Sequence, residues 1–240
     1  MKKEKFLHLL FPPRCPVCDE ILFSSFAAPE ELICKSCRNL PEYVKEPVCF
    51  QCGKPLEDER KEYCYDCSRK EFAFDQGKAL WIYRGAVRES LYRFKYRNRR
   101  EYAEYYSSEL VRVYGGWIKE MGIQAVVPIP LSRKRMRQRG FNQAELVAGK
   151  VGRKMNLPVY GRLLVRTRDT KAQKELNDEE RKNNLKRAFK TGKNKVQLSH
   201  ILLLDDIYTT GSTMNEAAKE LKRAGAERVY CLSVSIGRGY

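Results

Sequence analysis

Four consecutive aliphatic residues at positions 201–204 (ILLL) run without alternation into Asp205 and Asp206. An unalternated apolar run predicts a strand covered on both faces, as in a parallel sheet. Downstream, Met214, Ala217, Ala218, Leu221 and Ala224 recur at helical spacing and predict an amphipathic helix. Apolar runs at 79–83 (ALWIY), 125–129 (AVVPI) and in RVYCLSVSIG after Gly225 predict three more strands. In the stretch 85–114, Val87, Leu91 and Phe94, then Tyr106, Leu110 and Val113, mark one or two helices, and another opens near Gly140 in GFNQAELVAGKV. Strands alternating with helices predict an α/β fold, a parallel sheet flanked by helices. Residues 165–189 are highly charged and weakly apolar, the composition of a mobile hood.

Residues 201–213 read strand, short hydroxyl-rich loop, helix. That order places the backbone N–H groups of Thr210, Gly211, Ser212 and Thr213 at a helix N-terminus, where a phosphate binds well. Asp205 and Asp206 fall at the strand's carboxyl end, where α/β sheets hold their ligands. Neighbours on a strand face opposite ways, so both carboxylates reach one ligand only if the strand is already turning into the loop. The sequence ILLLDDIYTTGST resembles the phosphoribosyl-pyrophosphate (PRPP) motif of type I phosphoribosyltransferases. The resemblance implies that Asp205 and Asp206 hold the ribose hydroxyls, while Tyr208, Thr209, Thr210, Gly211, Ser212 and Thr213 form the loop around the 5′-phosphate. In that family the loop after an earlier strand binds pyrophosphate. Pro128, Ile129, Pro130 and Arg133 occupy the similar place here, with Mg²⁺ accompanying PRPP. The 6-oxopurine enzymes carry an aspartate where Thr209 stands, so their base chemistry is not implied.

Eight of the nine cysteines form four C-x-x-C pairs: Cys15/Cys18, Cys34/Cys37, Cys49/Cys52 and Cys64/Cys67. Two residues between thiolates let one tight turn present both sulfurs to a tetrahedral ion, and a second turn completes the four ligands. Sequential pairing gives two structural zinc ribbons; a cross-braced pairing fits the same spacing. Gly53, after the second cysteine of CFQC, supplies a backbone that wraps readily round a metal. The lone Cys231 sits in an apolar run and reads as core.

Charge divides the chain at the same place as cysteine. Of 47 Lys/Arg and 30 Asp/Glu, residues 1–70 carry 12 and 12, so the whole net charge of +17 lies in residues 71–240. This predicts a double zinc-ribbon domain over 1–70, with four cysteines to each ion, and a basic domain over 71–240, which the motif resemblance implies is phosphoribosyltransferase-like. The apolar segment near Met1 is too short for a signal sequence, and no stretch approaches the roughly 20 apolar residues of a membrane span. A cytoplasmic chain with reduced thiols and no membrane insertion is expected.

Cations and aromatics interleave at 92–102, where Arg93, Lys95 and Arg97 alternate with Tyr92, Phe94 and Tyr96. Such interleaving suits single-stranded nucleic acid, with rings on bases and cations on phosphates; a solvated helix with an aromatic stripe is the plainer reading. Arg139, Asn142 and Gln143 in QRGFNQ are further candidates for reading a base, Asn142 equally for a helix cap. Arg166 and Gln173 are candidates from the hood. With two histidines, His8 and His200, no general base is evident and the catalytic residues stay unassigned.

Nearly the whole chain resembles the ComF family, ComFC and its GntX-like relatives. The segments that carry the likeness are LLFPPRCPVC, CFQCGKPL, YRFKYR, VVPIPLSRKRMRQRGFNQAELVA, RTRDTKAQKEL with Arg181 and Asn184 beyond it, and LLLDDIYTTGST. The resemblance implies a zinc domain joined to a phosphoribosyltransferase-like domain, a role with incoming single-stranded DNA in competent bacteria, and the competence helicase ComFA as partner. The alternative is an active phosphoribosyltransferase with an unidentified nitrogen acceptor and no direct nucleic-acid role.

Overall fold

In the computed structural model, which describes residues 12–22, 31–167, 188–191 and 198–237, the apolar runs become one parallel sheet. Its order is β1 (Gln76–Ile82), β6 (Arg228–Ile236), β5 (His200–Tyr208), β2 (Ala125–Pro128). The helices are α1 (Tyr65–Arg69), α2 (Gly85–Tyr96), α3 (Tyr102–Glu120), α4 (Arg133–Arg139), α5 (Gln143–Met155) and α6 (Ser212–Arg223). A separate antiparallel ribbon pairs β3 (Leu164–Arg166) with β4 (Phe189–Thr191). It forms the stem of the segment read as a hood; the segment's middle, with Gln173, Arg181 and Asn184, lies outside the described residues.

Alternation along β5 sorts the core into two layers. Leu202 and Leu204 face α2, α3 and α5, together with Phe94, Tyr106 and Val147. Ile201 and Leu203 face α6, together with Met214, Ala217 and Leu221. The same alternation continues into the acids, so Asp206 points to the α2 side and Asp205 away from it.

The zinc-ribbon half straddles the free edge of β1. Val44 N donates to Leu80 O (3.0 Å) and Ile82 N to Glu42 O (2.8 Å), so residues 42–44 run antiparallel along β1 and cover its edge. On one side of that short segment, Cys15 and Cys37 join the α2–α3 core; on the other, Cys49, Cys52 and Cys64 join the α6 core. The first knuckle is held by α2, by the turn after it and by the start of α3. Arg93 donates to Val17 O, Arg99 to Asp19 (2.9 Å) and Tyr102 to Asp19 (2.5 Å). Burial works against the Asp19 charge, but the Tyr102 hydroxyl and Arg99 outweigh it and hold the carboxyl below its ordinary range. The compositional change near residue 70 is therefore not a break in packing. Among the described residues, no helix is long and apolar enough to cross a membrane.

Candidate functional site

β5 continues through both acids to Tyr208, beyond the end expected from sequence. β6 keeps pairing with it as far as Ile236 opposite Tyr208, whereas β2 stops with Pro128 opposite Leu204. From Asp205 onward β5 is thus paired on one side only, which leaves its β2-side edge unpaired at the carboxyl end.

The loop after Tyr208 turns on Gly211, whose φ of +75° marks the left-handed cap before α6. Asn215 N is the first amide after this turn to find a carbonyl, Gly211 O at 2.8 Å; the amides before it have no helical acceptor one turn back. Thr210 Oγ1 and Ser212 Oγ lie 2.9 Å apart at the loop's mouth, and Thr209 is exposed. A Cβ on Gly211 would collide with Tyr208 Oη and lie 2.9 Å from the Phe72 ring. Gly211→Ala is therefore expected to cost at least the roughly 1–2 kcal/mol of a left-handed L-residue, lowering Tm by about 4 °C or more at the usual scaling. An unchanged thermal melt would contradict this packing.

Tyr208 itself is nearly buried, its ring edge-on to Phe74 at 6.4 Å. It supports the loop from behind. Phe72 and Phe74 come from the segment just after the second cysteine cluster, and between them Ala73 N donates to Asn215 Oδ1 of α6 (2.6 Å). The second zinc knuckle thus buttresses the 209–213 loop.

The two acids are unequal. Asp206 Oδ1 accepts from Lys95 Nζ at 2.8 Å, both side chains being 12% exposed. Asp205 Oδ1 accepts from the backbone N–H of Asp206 (2.8 Å). Burial, and then the Asp206 charge, raise the Asp205 carboxyl to about 7, with Lys95 and Arg166 pulling the other way. The residue as a whole keeps some exposure, so the driving influence is the dense protein around the carboxyl.

The candidate nucleic-acid residues are dispersed. Lys95 serves Asp206, and Arg93 holds the zinc knuckle. Only Arg97 of that trio is exposed, because alternation has period two while a helix turns every 3.6 residues. Arg139 donates to Gln143 Oε1 and Tyr96 OH, both at 3.0 Å. Asn142 is a cap: Oδ1 accepts from Ala144 N and Nδ2 donates to Ile129 O. Gln143 is fully buried, so neither amide presents an edge to a base. Arg166 lies over the Phe189 ring. Near the acids, Pro128 ends β2, Ile129 N bonds Leu204 O (2.9 Å), and Pro130 leads to exposed Arg133. His200 lies at the opposite end of β5, bonded to Met121 O (2.8 Å).

The cysteines resolve into Cys15, Cys18, Cys34 and Cys37, and Cys49, Cys52, Cys64 and Cys67, each set with its sulfurs within 4.8 Å of one another. Pairing is sequential, and no disulfide is formed. The Sγ separations of 3.7 Å for Cys18–Cys34 and Cys52–Cys64 match the roughly 3.8 Å edge of a tetrahedron with Zn–S bonds of about 2.3 Å. The donor set fits structural zinc at both sites.

Comparison with known proteins agrees with both halves. Residues 6–68 match the double zinc ribbon domain and residues 142–236 the phosphoribosyl transferase domain. Competence protein ComFC of Bacillus subtilis is 30% identical over 82% of this chain and 80% of its own length. Competence protein F of Haemophilus influenzae is 28% identical over 82% and 87%. The DNA utilization protein YhgH of Escherichia coli K12 is 31% identical over 83% and 89%.

Proposed function

The chain belongs to the ComF family of competence and DNA-utilization proteins, and from that premise we propose that it binds PRPP with Mg²⁺, or a closely related ribose phosphate, while handling single-stranded DNA during uptake. Residues 71–240 carry the ligand, residues 1–70 brace it through two zinc ions, and the competence helicase is the natural partner in the cytoplasm. The observation that carries this reading is the step between β2 and β5, which leaves Asp205 unpaired on the β2 side and only partly buried, just before the cradle of residues 210–213. The phosphate takes the amides at the head of α6. The ribose hydroxyls donate to the carboxylates, and Arg133 draws in the pyrophosphate. Asp205 and Asp206 face opposite ways along the strand, so the one-sided end of β5 turns on binding and brings both to the sugar.

A carboxyl raised to about 7 accepts hydroxyl hydrogen bonds fully only once ionised. Ribose-phosphate affinity, measured by calorimetry, is therefore expected to rise severalfold between pH 6 and 8. Asp205→Asn should weaken binding at least tenfold at pH 8 and flatten that rise; unchanged affinity would remove the site. Stability runs the opposite way. Because the folded value lies above the unfolded one, this group's contribution is largest below the ordinary carboxylate range and is lost as pH rises through about 7.

The same raised carboxyl favours a second reading, an active transferase, since it offers a proton acceptor near neutral pH. Pyrophosphate release from PRPP and Mg²⁺ in the presence of nitrogen bases tests it.

A further inference from the structure

Between α4 and the β3 end of the ribbon runs an open cleft whose charge is of one sign. One part, about 470 Å³, lies between Pro130, Met136, Arg137, Arg162 and Val165. A second, about 720 Å³, shares Arg133 and Arg137 with it and adds Lys134. Among the described residues, no carboxylate lines either part. Arg133, Lys134, Arg137 and Arg162 are exposed and have no ion-pair or hydrogen-bond partner among the described residues. Arg93, Lys95 and Arg139, by contrast, are all engaged within the protein. Apart from Gln138 and Arg166, the cleft's remaining lining is apolar, with Met136 38% and Val165 49% exposed.

Unopposed guanidinium groups call for phosphates, and exposed apolar side chains among them call for flat, unpaired bases. A duplex turns its bases inward and would leave Met136 and Val165 uncovered; a single strand does not. The cleft also begins at Pro130 and Arg133, just after Ile129, whose N–H bonds Leu204 O next to Asp205. We infer that this cleft is the track for a single nucleic-acid strand, with Arg137 and Arg162 on its phosphates and its bases against Met136 and Val165. The inference rests on the nucleic-acid part of the proposed function and moves the contact surface from α2 to α4 and β3.

The test is fluorescence anisotropy of labelled oligo-dT with the full-length, zinc-loaded protein across a salt series. Each phosphate contact contributes a slope of about 0.7 in log affinity against log salt. Arg137→Ala with Arg162→Ala should reduce the slope by about 1.4 and weaken binding at least tenfold at low salt. Arg137→Lys with Arg162→Lys should keep most of it, Arg97→Ala should match the wild type, and PRPP affinity should stay unchanged in all three. A wild-type slope in the double alanine variant overturns the track but leaves single-strand binding standing. No oligo-dT binding by the wild type overturns both the track and the nucleic-acid reading, while PRPP binding, measured separately, stands or falls alone. Poly-glutamate bound as tightly as oligo-dT, with the same loss in the variant, overturns the track in favour of an acidic protein partner.

Discussion

Replacing Cys52 by serine is expected to lower bound zinc from two ions per chain to one and to abolish ribose-phosphate binding, although no residue of the cradle is touched. Cys52 is 2% exposed, and its cluster belongs to the same core as Phe74, Ile82 and Leu203. Structural zinc contributes about 10–16 kcal/mol in small zinc domains, against a total stability of about 5–15 kcal/mol for a typical fold. Losing one site therefore outweighs most of what holds the second knuckle in place. The knuckle also abuts the sheet: a Cβ on Gly53 would lie 2.7 Å from Gly77 O. Once it is released, Phe72 and Phe74 no longer back Gly211 and Tyr208, and the Ala73–Asn215 bond is lost. Cys231→Ser, in the core but outside both clusters, should keep two zincs. Elemental analysis and calorimetry on the same samples check the pair. Two zincs in the Cys52 variant, or one zinc with undiminished affinity, would contradict the bracing.

The second large effect concerns Lys95. Asp206→Asn should destabilise the protein by about 3 kcal/mol, the lower end of what breaking a buried pair costs, because it strands an ammonium that is only 12% exposed. Lys95→Met should do similar damage from the other side. Combining the two removes both charges, so the double variant should recover most of the loss; coupling between residues in direct contact is the expected form of non-additivity. Ribose-phosphate binding should fail in Asp206→Asn and in the double variant alike, separating the carboxylate's role with ligand from its role in the fold. Asp205→Asn behaves differently. Among the described residues its carboxyl has no cation in direct contact, and its charge is disfavoured by burial, so the amide should leave stability at pH 8 unchanged or higher. Denaturant midpoints for the four variants decide this, and strictly additive losses at Lys95 and Asp206 would contradict the pair.

What the sequence disclosed was local. The run 201–204, the T-T-G-S-T loop, the stripe from Met214 to Leu221 and the cysteine spacing each carry their signal within about a dozen residues, and each appears where expected. What stayed hidden joins distant positions. Lys95 meets Asp206 across 111 residues, Arg93 reaches Val17 across 76, and residues 42–44 cover β1 without any strand-like run of their own. The ribbon of β3 and β4 has three residues per strand, too few for alternation to declare itself. The stripe at 92–102 has the period of a strand while its residues lie on a helix, so its cations point in different directions. The reach of β5 past both acids depends on β6 pairing with it to Tyr208, a property of the neighbour and not of β5's own residues.

The most direct measurement is a crystal structure of the zinc-loaded protein with ribose 5-phosphate. The phosphate should lie within hydrogen-bond reach of the amides of residues 210–213, with the sugar hydroxyls on Asp205 and Asp206. A sugar phosphate seated among the cations of α4, with both aspartates untouched, would contradict the assignment.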